Sequence, residues 1–323
     1  MTRNISLDIL KGMAIYAVVI GHCDIFLNLP SISVDKYGSL YDFIYSFHMP
    51  LFMLISGYLS MSIERKTVVE VICSKFKRLI IPSIIWSLLS CLILSMSIMG
   101  VINEHWYLKC LFICSIGYSI SYRLTHNFYL SHIIFLLLLL IVPGGSLWNC
   151  VYMYPFFMIG MVIHKYNWIE KFGNQSRKNK MSFTFIFITI YTILFLGWDG
   201  SMSHDHSRFK LLSIYCDDYL YDIYCFVYRI VIGVSATCTL YGLVEPICRG
   251  RVAKFFQCLG QYSIGIYLTH SYLIILVSYF IIEVSAPRFV IVLFVATFIV
   301  IFAAIVTHFL SKKKILSKYL LGQ

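Results

Sequence analysis

A chain of 323 residues that is 59% hydrophobic and 13% charged, with a mean hydropathy of +0.81, carries more apolar surface than a soluble domain of that length can hide. The net charge of +11 is spread as short basic clusters between apolar runs, not gathered in a basic domain, and excludes a nucleic-acid-binding reading. The apolar runs are continuous, not alternating, so membrane-spanning helices are expected and a β-barrel is excluded.

Ten spans are expected, near 7–29, 39–63, 79–101, 105–122, 127–143, 148–166, 181–198, 222–245, 259–283 and 288–310. Together they form one all-α, polytopic membrane domain over 1–323. The first segment is too long and too charged for a cleaved leader and is read as a retained helix. It opens on Asp8 and Lys11 and ends near His22. Eleven residues are close to three turns, so Lys11 and His22 share a helix face roughly 16 Å apart. Asp8 and Lys11 are spaced to pair near the inner end. His22 has no such partner, and an ionisable group at that depth points to function.

The second span runs the opposite way and places His48 at a depth similar to His22. Pro50 should break the helix near His48, because proline lacks the N–H that its i−4 carbonyl needs. Residues 64–78 mix Val68, Val69, Ile72 and Phe76 with five bases and read as an amphipathic helix in the inner interface, where Lys75 and Arg78 could meet an anionic ligand. Almost nothing separates the third and fourth spans, so a tight antiparallel pair is expected. Lys109 in the fourth span, Arg229 in the eighth and His270 in the ninth add polar groups at compatible depth. Several such residues on separate helices argue for a polar cavity open to the outside. The outer loop near 199–221 holds Asp199, Asp205, Asp217 and Asp218 with His204 and His206, which read as a solvated loop or as a carbohydrate-facing one. The 11 cysteines lie mostly within apolar runs, without CxxC or Cys/His spacing, so no metal and no disulfide framework is expected; Cys216 falls in the outer loop.

Lys and Arg set the orientation. One side collects Arg3, Arg65, Lys66, Lys75, Lys77, Arg78, Arg123, Lys165, Lys171, Arg177, Lys178, Lys180, Arg249, Arg251, Lys254, Lys312, Lys313, Lys314 and Lys318; the other has Lys36, Arg208, Lys210 and Arg288. Both termini are therefore expected in the cytoplasm. A basic inner mouth, a central histidine and a polar outer vestibule suit transfer of an acyl group from a cytoplasmic acyl-CoA. Lys11 would lie near the donor's phosphates and His22 near its thioester, as general base or as acyl carrier.

These residues resemble the acyltransferase-3 family, multi-span enzymes that O-acetylate bacterial surface glycans. Leu7-Asp8, Lys11 and His22 match the family's first-helix pattern, with Lys where Arg is usual; Lys keeps the charge and loses the planar fork. "FHMPLFMLISGYL" (47–59), "KRLIIP" (77–82), "HWYLKCLF" (105–112) and "LGQYSIGIYLTH" (259–270) are similar to further family segments, in order and across nearly the whole chain. The helix-one Lys and the FHMP segment look most like the fucose 4-O-acetylase branch. The resemblance implies acetyl-CoA as donor, His22 as the essential residue, and a glycan or lipid-linked sugar hydroxyl as acceptor. It also implies residence in the bacterial inner membrane. On this reading Lys11, Lys75 and Arg78 hold the donor, and His48, Ser56, Trp106, Lys109, Arg229 and His270 line the acceptor side. The rival reading is a transporter or flippase for a glycan intermediate, against which stands the lack of paired, interrupted helices in corresponding halves.

Overall fold

The computed structural model describes residues 4–27, 39–94, 105–141, 149–198, 219–279 and 287–323, and among them every regular element is helical. In chain order the helices are α1 (Ile5–Phe26), α2 (Ser39–Tyr45), α3 (His48–Tyr58), α4 (Val68–Lys75), α5 (Ile81–Leu94), α6 (Trp106–Thr125) and α7 (Phe128–Ile141). There follow α8 (Cys150–Lys165), α9 (Trp168–Gly173), α10 (Arg177–Leu196), α11 (Tyr219–Ile247), α12 (Gly250–Gln261), α13 (Ser263–Ser278) and α14 (Arg288–Ser311). Among the described residues, six helical stretches are long and apolar enough to cross a membrane: 5–26, 40–65, 68–93, 177–196, 223–246 and 288–311. Three shorter apolar helices, α7, α8 and α13, lie in other expected spans. The acidic loop at 199–218 with its histidines and Cys216, and the turn between the third and fourth spans, lie outside the described residues.

The chain forms two compact units. The first comprises residues 1–48, 81–105 and 243–323, with α1 at its centre against α2, α12, α13 and α14. Asn4 caps α1 through its side chain, which accepts from Leu7 N–H. Arg288 at the start of α14 pairs with Asp24 near the end of α1 (3.1 Å). Tyr16 and Thr297 share a 2.6 Å hydrogen bond midway between those helices.

Helix α12 corrects the sequence reading, which leaves Arg249, Arg251 and Lys254 in a loop and starts the ninth span at 259. Residues 250–261 are too short and too polar to read as a span. They are nevertheless helical, because Phe256 and Gly260 dock along α1. The two backbones meet at glycines: a Cβ on Gly12 would lie 1.9 Å from the Phe256 carbonyl oxygen, and one on Gly260 would lie 1.8 Å from that of Asp8. Small residues permit such an approach and larger ones do not. Gly12→Ala should therefore force α12 off α1 and cost roughly 1–3 kcal/mol, read as a lowered melting temperature in detergent. Gly173→Ala, at a position with nothing within 4 Å, should leave it unchanged.

The second unit comprises residues 49–80 and 106–242. Helices α3 and α8 approach as α1 and α12 do: Cβ atoms on Gly57 and Gly160 would each lie 2.0 Å from a carbonyl oxygen of the other helix. The short helix α4 starts with a Thr67–Glu70 capping box and passes into a π turn over Phe76–Ile80. Val71 is buried while Val69, Ile72 and Phe76 are exposed beside Lys77 and Arg78, the amphipathic pattern expected of 64–78. Arg123 donates to the carbonyls of Glu64 and Lys66, and Tyr118 donates to the Glu64 carboxylate (2.8 Å), which fastens this segment to α6.

Candidate functional site

Three of the expected site histidines belong to the first unit. His22 lies on the last turn and a half of α1, half-buried; His270 is on α13 and His48 opens α3, both buried. Depth along the spans places His48 level with His22 and names no hydrogen-bond partner for either. In the structure His22 bonds to His270, with 2.7 Å between His22 Nδ1 and His270 Nε2 and ring planes 20° apart.

The hydrogen-bond network assigns the protons of the neutral pair. His270 Nδ1 faces only carbonyl oxygens, those of Tyr267 (2.8 Å) and Ile266 (3.1 Å), so it carries a hydrogen and donates. Its Nε2 is then an acceptor, and His22 Nδ1–H donates to it. The basic lone pair of His22 is therefore on Nε2, the nitrogen pointing away from His270. A base and the group that orients it are both present, and the orienting group is itself held by two backbone carbonyls.

His48 is positioned by the break between α2 and α3. Pro50 supplies no N–H for the Ser46 carbonyl, and the helix interrupts at Ser46–Phe47. His48 Nδ1–H donates to the Ile44 carbonyl (2.7 Å), and Ser46 Oγ donates to that of Phe43 (2.7 Å), so side chains satisfy groups at the break. The Tyr45 ring meets His48 edge-on at 4.8 Å.

At the other end of α1, Lys11 Nζ donates to Asp8 Oδ1 at 2.9 Å. The Asp8 side chain is buried and that of Lys11 is partly exposed. Docking of Gly260 on the Asp8 backbone fixes this turn. The pairing expected from the i, i+3 spacing is thus formed, about 16 Å along α1 from His22.

The remaining expected residues belong to the second unit. Ser56 donates to Tyr107 Oη (2.8 Å), which in turn donates to the Phe52 carbonyl (3.1 Å). Ser56 thereby ties α3 to α6, a contact that no spacing within one helix announces; Trp106, half-buried, packs edge-on against the same tyrosine. Lys109 is half-buried on α6, and the Arg229 guanidinium lies over the Tyr152 ring at 4.3 Å. Lys75 donates to Ser60 Oγ (3.3 Å), while Arg78 is exposed. A buried His132–Tyr154 hydrogen bond (2.8 Å) in this unit escaped the sequence reading, because neither residue falls in a motif.

A family model described as an acyltransferase domain, acyltransferase-3, matches residues 4–307. Nodulation protein NolL of Mesorhizobium japonicum is 26% identical over 298 residues, covering 82% of this chain and 75% of that protein. Nodulation protein NolL of Sinorhizobium fredii is 24% identical over 288 residues, covering 82% and 76%. No solved structure matches. With that match extending over nearly the whole length, from the Asn4 cap of α1 to Thr307 on α14, the chain belongs to the acyltransferase-3 family and is an acyltransferase.

Proposed function

We propose that this protein is an inner-membrane O-acetyltransferase. It moves an acetyl group from cytoplasmic acetyl-CoA to a hydroxyl of a bacterial surface glycan, or of its lipid-linked precursor, and it crosses the membrane ten times with both termini in the cytoplasm. The observation that carries this reading is the His22–His270 hydrogen bond, which supports Nε2 of His22 as the reacting nitrogen. In the general-base route, Nε2 takes the proton of the acceptor hydroxyl as its oxygen attacks the thioester carbonyl. The carbon–sulfur bond then breaks, and the imidazolium returns the proton to the leaving thiolate. In the covalent route, Nε2 attacks the thioester carbonyl first and the carbon–sulfur bond breaks to release the thiolate; the acceptor hydroxyl then attacks the acetyl carbon, the carbon–nitrogen bond breaks, and the hydroxyl proton passes to the thiolate. Lys11, Lys75 and Arg78 serve the phosphates of the donor. His48, Ser56, Trp106, Lys109 and Arg229 serve the acceptor side, and His270 orients His22. The test is transfer from labelled acetyl-CoA by purified protein, with NMR of surface glycan from wild-type and deletion cells. Glycan acetylation unchanged by deletion would overturn the reading.

Lys11 also gives a quantitative test. Lys11→Arg should retain most activity. Lys11→Met should lose about 1.5–3 kcal/mol of a charge-assisted contact, roughly 10- to 150-fold in rate or affinity. Because Met would also strand the buried Asp8 carboxylate, the deciding variant is Lys11→Met combined with Asp8→Asn. If Lys11 serves the donor, the double variant stays impaired; if it serves only as partner to Asp8, the double variant recovers wild-type turnover.

A further inference from the structure

The second unit gathers three thiols that acyl transfer does not use. Cys110 and Cys114 are one turn apart on the same face of α6, and Cys150 is the first residue of α8. Their sulfurs all lie within 4.8 Å of one another, with 4.0 Å between those of Cys110 and Cys114, and all three residues are buried. Cys150 is too distant in sequence from the other two for spacing to reveal the group.

The dimensions are those of a metal site. Three sulfurs bound to one ion at about 2.3 Å in a trigonal plane lie about 4.0 Å apart, which is the bond length times the square root of three. The widest separation closes to that value with less than 1 Å of side-chain movement. The group holds three cysteines and no histidine or carboxylate among the described residues. Structural zinc takes four ligands in a tetrahedron, whereas soft all-sulfur sets suit monovalent copper. Cys150 adds a favourable field. It starts a 16-residue helix whose Asn149 side chain makes no capping hydrogen bond, and the positive end of that helix favours a thiolate.

We propose that Cys110, Cys114 and Cys150 bind one copper(I) ion, which pins the start of α8 to α6. Each ligating thiol gives up its proton to solvent, and no electron is transferred. The test uses the full chain in detergent, loaded anaerobically with copper(I) and challenged with the copper(I) chelator bicinchoninate. The wild-type protein should keep one copper per chain, with an X-ray absorption spectrum of three sulfurs at about 2.3 Å and a raised melting temperature. Cys114→Ser and Cys150→Ser should each lose the ion, while Cys238→Ser, which is not one of the three, should keep it. The proposal falls if the wild-type protein surrenders its copper to the chelator or if either serine variant retains as much. It falls equally, without recourse to variants, if the wild-type spectrum shows nitrogen or oxygen ligands.

Discussion

His22→Ala is expected to abolish acetyl transfer while the protein still accumulates and inserts. Removing a general base costs about 10²- to 10⁴-fold, and removing an acyl carrier costs more. The structural cost is smaller. His22 is half-buried and makes one hydrogen bond, to His270, so its loss removes about 0.5–1.5 kcal/mol plus the desolvation of one unpaired His270 nitrogen. Activity measured at matched protein amounts separates the two effects. A variant with near-wild-type turnover would remove His22 from the mechanism. The same preparation distinguishes the chemical routes: wild-type protein incubated with acetyl-CoA and no acceptor should carry acetyl on Nε2 of His22 if the route is covalent, and none if His22 is a base. Acetyl on Nδ1 would contradict the proton assignment, because that nitrogen is occupied by its hydrogen bond to His270.

Much of the architecture was legible because a bilayer allows few solutions. Runs of apolar residues that must satisfy their own backbone read directly as helices, and a helix lies in each of the ten stretches marked from composition. The Asp8–Lys11 pair and the break before Pro50 were legible for the same reason: each follows from geometry within one element. What escaped depended on contacts between elements. Helix α12 has too little apolar length to announce itself and owes its place to α1. Its signature was two isolated glycines, Gly12 and Gly260, whose meaning appears only when two backbones meet. The partner of His22 escaped likewise. Depth along a helix is one coordinate, shared by His48 and His270, and rotation about the axis decides which ring is within hydrogen-bonding distance. Ser56 belongs to the 47–59 segment, yet its hydroxyl is engaged by Tyr107, so any service to the acceptor requires that contact to open or to act through the tyrosine.

The second large effect is expected at His270, and it separates orientation of the base from contact with the acceptor. With His270→Leu, nothing accepts from His22 Nδ1–H, the imidazole can exchange tautomers, and the reactive nitrogen is no longer fixed. Turnover should fall by about 10²-fold, within the range that general base catalysis supplies. The Michaelis constants for acetyl-CoA and acceptor should change little, because an interaction that matters in the transition state appears in kcat. His270→Gln is the informative companion. Its amide oxygen reaches close to the place of Nε2 and can accept the same hydrogen, so it should recover a large part of the lost turnover. If His270 instead binds the acceptor sugar, both variants should raise the acceptor's Michaelis constant and leave saturated turnover near wild type. The positions of the two backbone carbonyls, from Ile266 and Tyr267, argue for the first outcome: they hold His270 Nδ1–H, leave Nε2 no role but acceptor, and direct that acceptor at His22.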